Sequence, residues 1–281
     1  MRPKLIAFDL DGTLLNNKKE IPEENLLALR RAAEAGVLLV PATGRILKGM
    51  PEALLALKVC RYFIFSNGAT LYDLEEDRTI GSFGIAPETA LRICEYMDTL
   101  PVLYDCYRDG FGYMTQWMYE KAPDFFGTEP EILKLVRRLR QPVPELKEDI
   151  LRINRPLEKL QMYFTEEHMD LRLRELETLS TRFPEVIVSS STRNNVEINS
   201  REAGKGKALR RLCELLGIRL EETAAFGDGL NDTELLEAAG LGCAMQNAAE
   251  AVKRCADTVL PYDNNAGGVG RKILEMLEER T

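Results

Sequence analysis

The stretch Lys4-Leu5-Ile6-Ala7-Phe8-Asp9-Leu10-Asp11-Gly12-Thr13-Leu14 decides how the rest of the chain is read. It opens as an apolar run of strand length, then passes directly into two carboxylates and a glycine turn. Two carboxylates held close repel each other and lose solvation, so a buried strand does not end in them for stability. A bound cation or a covalent chemistry is the usual compensation.

The chain has 281 residues, which suits two domains. It is 45% hydrophobic and 29% charged, the composition of an ordinary globular protein. No apolar run reaches the ~18 residues of a membrane helix, and no signal-peptide pattern precedes the first strand. No membrane association is expected. A net charge of −8 argues against a nucleic-acid partner, which would want a basic face. Attraction for an anionic substrate must then be local, from a metal or a few lysines and arginines. None of Cys60, Cys94, Cys106, Cys213, Cys243 and Cys255 forms a C-x-x-C pair, so a structural zinc site is not expected. They read as small buried hydrophobes, and a reducing cytoplasm is the expected location.

Outward from the first strand, the opening third alternates strand and helix. Strands are expected at 4–9, 37–40 and 62–65, with helices over 22–35 and 46–57. The last third repeats the style, with strands at 223–226, 241–244 and 257–260 and helices over 206–217, 231–238, 247–254 and 268–279. Continuous apolar strands separated by helices predict an α/β fold, a doubly wound parallel sheet covered on both faces. The middle differs. From 86 to 193 there are longer polar helices and alternating strands at 101–108, 113–119, 160–164 and 186–190, with a break at Gln141–Pro144. This predicts an α+β module (86–193) inserted into a core built from 1–85 and 194–281.

Four strand ends carry polar residues. They are Asp9 and Asp11, then Thr43-Gly44-Arg45, then Gly204-Lys205-Gly206-Lys207, and last Gly227-Asp228-Gly229-Leu230-Asn231-Asp232. Open α/β sheets bind ligands beyond the carboxyl ends of their strands, so these segments are expected to converge. Asp9, Asp11 and Asp228 offer hard oxygen ligands suited to Mg²⁺. Thr43 offers a hydroxyl and Lys205 a point charge for phosphate. Gly12 and Gly44 let backbone N–H groups approach an anion. Together these suit phosphoryl transfer, where positioning and charge neutralisation dominate.

Asp9-Leu10-Asp11-Gly12-Thr13-Leu14 resembles motif one of the haloacid dehalogenase superfamily. Thr43-Gly44-Arg45, Lys205-Gly206-x-Ala208-Leu209 and Gly227–Asp232 match its other three motifs, in order. Ser66-Asn67-Gly68-Ala69, Ala244–Ala248 and Asn265–Val269 resemble its Cof-type sugar-phosphatase branch, as does the position of the insert. The resemblance implies a Rossmann-like core with a mobile cap, and a Mg²⁺-dependent phosphatase acting on small phosphorylated metabolites such as sugar phosphates. It makes Asp9 the nucleophile that forms an aspartyl-phosphate, and Asp11 the general acid and later base. Asp9, the Asp11 backbone carbonyl and Asp228 would hold Mg²⁺. Leu10, Gly12, Thr43, Gly44, Lys205 and Asn231 would surround the phosphoryl group, with Asp232 in support of Lys205 or of a metal-bound water. A second acid at the nucleophile motif separates phosphatases from the dehalogenase branch, which lacks it.

Plainer readings exist for several of these residues. Asp9 and Asp11 as a calcium loop would want glycine at position six, and here it stands at position four. Asp228 and Asn231 are also natural helix N-caps. Arg45 reads equally as a surface ion pair, and Lys207 as solvated. Gly204–Lys207 is not a nucleotide P-loop, because Arg201 stands where its first glycine belongs and Ala208 replaces Ser/Thr. His168 reads as an exposed helix position. Trp117, Tyr113 and Tyr119 read as one face of a strand, and Arg137–Arg140 as a solvated helix face. Two rival functions remain. A phosphomutase of the same superfamily shares the phosphoaspartate. A phospho-receiver or metabolite-binding regulator also uses a strand-end Asp, a Thr and a Lys, but is much shorter and has no insert.

Overall fold

The computed structural model describes residues 3–190 and 192–278. The chain divides into two compact units. One comprises Met1–Arg45, Met50–Gly81 and Ala203–Thr281, the other Ile46–Gly49 and Ser82–Glu202.

The first unit is built on a five-stranded parallel sheet. Its order is Thr258–Val259, Leu241–Ala244, Thr223–Gly227, Leu5–Phe8, Leu38–Pro41. Leu5, Ile6, Ala7 and Phe8 are wholly buried, as a strand covered on both faces requires. Phe8 is in register with Phe226 on one side and Pro41 on the other. The segments that follow these three strands therefore leave the sheet side by side. The helix Glu23–Glu34 packs on the closing helix Gly268–Glu278. Between them, Asn25 donates from Nδ2 to the Leu14 carbonyl and accepts from the Gly270 N–H, tying the first loop to the last helix.

Several expectations change here. Tyr62–Phe65 is not a full member of the parallel sheet. It meets it through one bridge, Ala42 to Ile64, and pairs antiparallel with Thr70–Asp73 in a separate three-stranded sheet. The chain reverses within Ser66–Gly68, which leaves no room for a crossover helix. The expected helix over 46–57 is a 3₁₀ turn at Leu47–Gly49 and a helix at Glu52–Leu57, parted by Pro51. The helix expected over 231–238 begins as a 3₁₀ turn at Leu230–Asp232 and continues as Thr233–Ala238. The expected closing helix ends at Glu278, and Glu279 lies outside the described residues.

The second unit holds a six-stranded sheet in the order Val186–Ser189, Asn195–Ser200, Lys159–Tyr163, Leu103–Arg108, Phe111–Thr115, Arg140–Val143. Asn195–Ser200 pairs within this sheet, which moves the expected boundary at 193 to 202. Gln141–Pro144 is not a break, because Arg140–Val143 is the edge strand of this sheet. The strand expected at 113–119 stops at Thr115, whose side chain caps the helix Gln116–Phe126 by accepting from the Met118 N–H. Trp117 and Tyr119 are therefore helical, and Trp117 is exposed.

The arginine cluster also divides. Arg137 and Arg138 are exposed, whereas Arg140 is buried and donates to Asp105, Tyr107 and Tyr163. His168 is half-buried and hydrogen-bonded to Thr165, just before the helix Met169–Arg182. All six cysteines are free thiols, five of them buried. Among the described residues, no helix is long and apolar enough to cross a membrane.

Candidate active site

The register of Phe8 with Phe226 puts Asp9 next to the segment that carries Asp228. The Asp9 N–H donates to the Phe226 carbonyl at 3.0 Å, so the loop leaves the sheet still bonded to its neighbour. Carboxylate oxygens of Asp9, Asp228 and Asp232 all lie within 4.8 Å of one another. Lys205 Nζ donates to Asp9 Oδ1 and to Asp232 Oδ1, both at 2.6 Å, with its side chain wholly buried. Asp232 Oδ2 accepts from the N–H groups of Asp228 and Gly229. Thr13 Oγ1 donates to Asp228 Oδ1 at 2.7 Å.

The backbone makes room for this packing. Gly12 has φ +85°, and a Cβ there would lie 2.3 Å from Asp228 Oδ2. A Cβ on Gly206 would lie 2.2 Å from the Glu234 carbonyl. Glycine at that position lets the helix Lys205–Leu216 approach Thr233–Ala238 closely enough for Lys205 to reach both acids.

Lys205 pairs with only two of the three acids, so the negative charge is only partly met. Burial pushes the Asp9 carboxyl up and the Lys205 ammonium pulls it back, while Asp232 and Asp228 push it up again; the result is about 7. Burial also raises Asp228, against the hydrogen bond from Thr13. Burial disfavours the charged form of Lys205, but its two carboxylates outweigh this and hold it protonated. A cluster of hard oxygen donors with uncompensated charge fits a small divalent cation. Asp9 and Asp228 have oxygens to spare for one, whereas both oxygens of Asp232 already accept hydrogen bonds.

The Asp11 carboxylate is engaged elsewhere. Arg45 donates to it from Nε and Nη2, and Lys19 from Nζ. Burial favours its neutral form, but these cations outweigh burial and hold the carboxyl at about 2. Arg45 thus forms an ion pair, as its plainer reading expected, and its partner is Asp11. Thr43 is buried, its N–H donates to the Ile64 carbonyl, and its hydroxyl accepts from the Arg45 N–H. Leu10 has its side chain wholly buried, and its carbonyl accepts from the N–H groups of Thr13 and Leu15. Asn231 donates from Nδ2 to Asn67 Oδ1 at 3.1 Å, which draws in a residue that the sequence marked only through Ser66–Ala69. A Cβ on Gly44 would lie 2.9 Å from the same Asn67 oxygen.

A family model described as haloacid dehalogenase-like hydrolase matches residues 6–273. Phosphatase YwpJ of Bacillus subtilis (strain 168) is 32% identical over 290 residues, spanning 98% of this chain and 100% of that protein. From the same organism, 5-amino-6-(5-phospho-D-ribitylamino)uracil phosphatase YcsE is 31% identical over 270 residues, spanning 96% of this chain and 94% of that protein. The crystal structure of a haloacid dehalogenase-like hydrolase from Bacteroides thetaiotaomicron superposes with a TM-score of 0.82 at 26% identity, covering 98% of this chain and 100% of that one. The chain belongs to the haloacid dehalogenase-like hydrolases. Within that family it is a phosphatase.

Proposed function

We propose that this chain is a Mg²⁺-dependent phosphatase that hydrolyses small phosphorylated metabolites, sugar phosphates among them, through an aspartyl-phosphate on Asp9. The observation that carries this reading is the buried Lys205 held at 2.6 Å from both Asp9 and Asp232, inside a cluster of three acids. Such a site leaves one carboxylate available for bonding to phosphorus and fixes a cation beside it for the phosphoryl oxygens.

Asp9 attacks phosphorus, and a new O–P bond forms as the bond to the leaving oxygen breaks. That oxygen keeps the electron pair and takes a proton from Asp11. Water then attacks the same phosphorus and loses its proton to Asp11. The Asp9–phosphorus bond breaks, releasing inorganic phosphate and restoring the carboxylate. Thr43, Lys205 and Asn231 hold the phosphoryl oxygens throughout. Asp9, Asp228 and the Asp11 carbonyl would hold Mg²⁺, which when bound would supply positive charge to offset that on the phosphoryl group.

The activities named for two relatives support the substrate class. YcsE is named for a phosphorylated ribitylamino-uracil, and YbhA of Escherichia coli, 29% identical, for pyridoxal phosphate. A panel of phosphorylated metabolites ranked by kcat/KM, with Mg²⁺ and with EDTA, tests the reading. Release of inorganic phosphate that needs Mg²⁺ is expected. Undiminished activity in metal-free buffer, or conversion of a sugar 1-phosphate into its 6-phosphate without free phosphate, would overturn it.

A further inference from the structure

Ser66, Asn67 and Gly68 have φ of +51°, +58° and +93°, three successive residues in the left-handed region. Side chains rarely adopt it, and a run of this kind persists only where its surroundings hold it. Here they do so on every side. The Ser66 N–H donates to the Arg45 carbonyl and the Asn67 N–H to the Thr43 carbonyl, both at 3.0 Å. Asn67 Oδ1 accepts from Asn231 Nδ2 at 3.1 Å. A Cβ on Gly68 would lie 2.2 Å from the carbonyl oxygen of Gly204, the residue before Lys205. One turn outside the four catalytic segments thus touches three of them.

We propose that Asn67 is a positioning residue, whose backbone fixes the Thr43 loop and whose side-chain oxygen fixes Asn231, so that both present their polar groups to the same phosphoryl oxygens. The proposal rests on the phosphatase reading above for what those groups bind. In this role Asn67 acts through Thr43 and Asn231. Asparagine suits the place because it tolerates a left-handed backbone and also carries an acceptor.

The test uses p-nitrophenyl phosphate as substrate and inorganic phosphate as competing ligand, on the full chain with Mg²⁺. Asn67→Gly keeps the left-handed backbone and removes the acceptor. It is expected to lower kcat/KM about tenfold and to weaken inhibition by phosphate by a similar factor, the scale of one lost hydrogen bond. Asn67→Asp, which keeps an acceptor oxygen, should recover most of the loss. In an Asn231→Ala background, Asn67→Gly should cost nothing further, because the tie is already cut. Unchanged kinetics in Asn67→Gly, no recovery in Asn67→Asp, or losses that multiply in the double variant would each overturn the proposal. Collapse of the Asn67→Gly fold would assign the turn to stability and overturn it as well. Phosphate affinity can also be read in an Asp9→Asn background, so a failed nucleophile assignment is distinguishable from a failed tie.

Discussion

The Arg45 guanidinium holds the Asp11 carboxylate with two prongs, Nε to Oδ2 and Nη2 to Oδ1, each at 2.7 Å. Lys19 adds a third contact at 2.8 Å. Burial favours the neutral form of Asp11, yet these cations hold it at about 2, so near neutrality it stands as a carboxylate. That is the form needed to take a proton from water in the second half of the proposed reaction, whereas the first half needs the protonated form that these cations disfavour. Arg45→Met should therefore slow hydrolysis of the phosphoenzyme more than its formation. With p-nitrophenyl phosphate, rapid quench should show a burst of p-nitrophenolate approaching one equivalent of enzyme, followed by turnover reduced about tenfold. Faster turnover in the variant would make Arg45 a brake on Asp11 instead.

Asp9 sets a pH dependence of the opposite kind. Its carboxyl stands near 7, above the ~3.9 of an unfolded aspartate. Its contribution to stability is full below the unfolded value and is lost as pH rises through about 7. Asp9→Asn removes that cost. At pH ~8 the variant should melt no lower than the parent protein, while its phosphatase activity disappears. A tenth of the parent activity in Asp9→Asn would remove Asp9 from the nucleophile role.

Cation binding should follow the same ionisation. A carboxylate must lose its proton to ligate, so Mg²⁺ affinity should fall up to about tenfold per pH unit below 7. The rise in melting temperature on adding Mg²⁺ measures this, and it should be large at pH ~8 and small at pH ~6. Equal rises at the two pH values would separate the cation from Asp9.

The acid-bearing strand ends were legible because Leu5–Phe8 and Ala224–Phe226 are apolar runs that stop at carboxylates and glycines. A strand covered on both faces has no other way to meet polar chemistry. The pairing of Arg45 with Asp11 was not legible, since nothing in Thr43-Gly44-Arg45 says which way the guanidinium turns. Within the insert, period-two patterning misled at Tyr113–Tyr119, where the Thr115 cap starts a helix in the middle of the alternation. It also hid Arg140, which follows two exposed arginines but belongs to an edge strand and reaches a wholly buried Asp105. Asn67 carried only a turn signal. What it holds lies in segments remote in sequence, and remote contacts leave no local pattern.

Gly12 gives a steric prediction. Its φ of +85° disfavours any side chain, and a Cβ would lie 2.3 Å from Asp228 Oδ2. Gly12→Ala should cost about 1–3 kcal/mol of stability and displace Asp228. Weaker Mg²⁺ binding should accompany the loss, by tenfold or more, measured by titrating activity with the metal. Ordinary Mg²⁺ dependence in a folded Gly12→Ala would show that Asp228 does not hold the cation.

Lys205 gives the largest expected effect on stability. Its ammonium lies 2.6 Å from Asp9 and from Asp232, with no exposed surface on its side chain. Removing the cation from a buried ionic group leaves charge uncompensated and typically costs about 3–5 kcal/mol. Lys205→Met should therefore melt well below the parent protein at pH ~8. The deficit should shrink as pH falls below 7, because Asp9 then takes up a proton and no longer needs the ammonium. Mg²⁺ should recover part of the deficit at pH ~8, as a second cation meeting the same carboxylates, without restoring the phosphoryl contact or the activity. Thermal denaturation at the two pH values, with and without the metal, reads all three effects. A deficit independent of both pH and Mg²⁺ would mean that Lys205 stabilises through packing of its stem rather than through its charge.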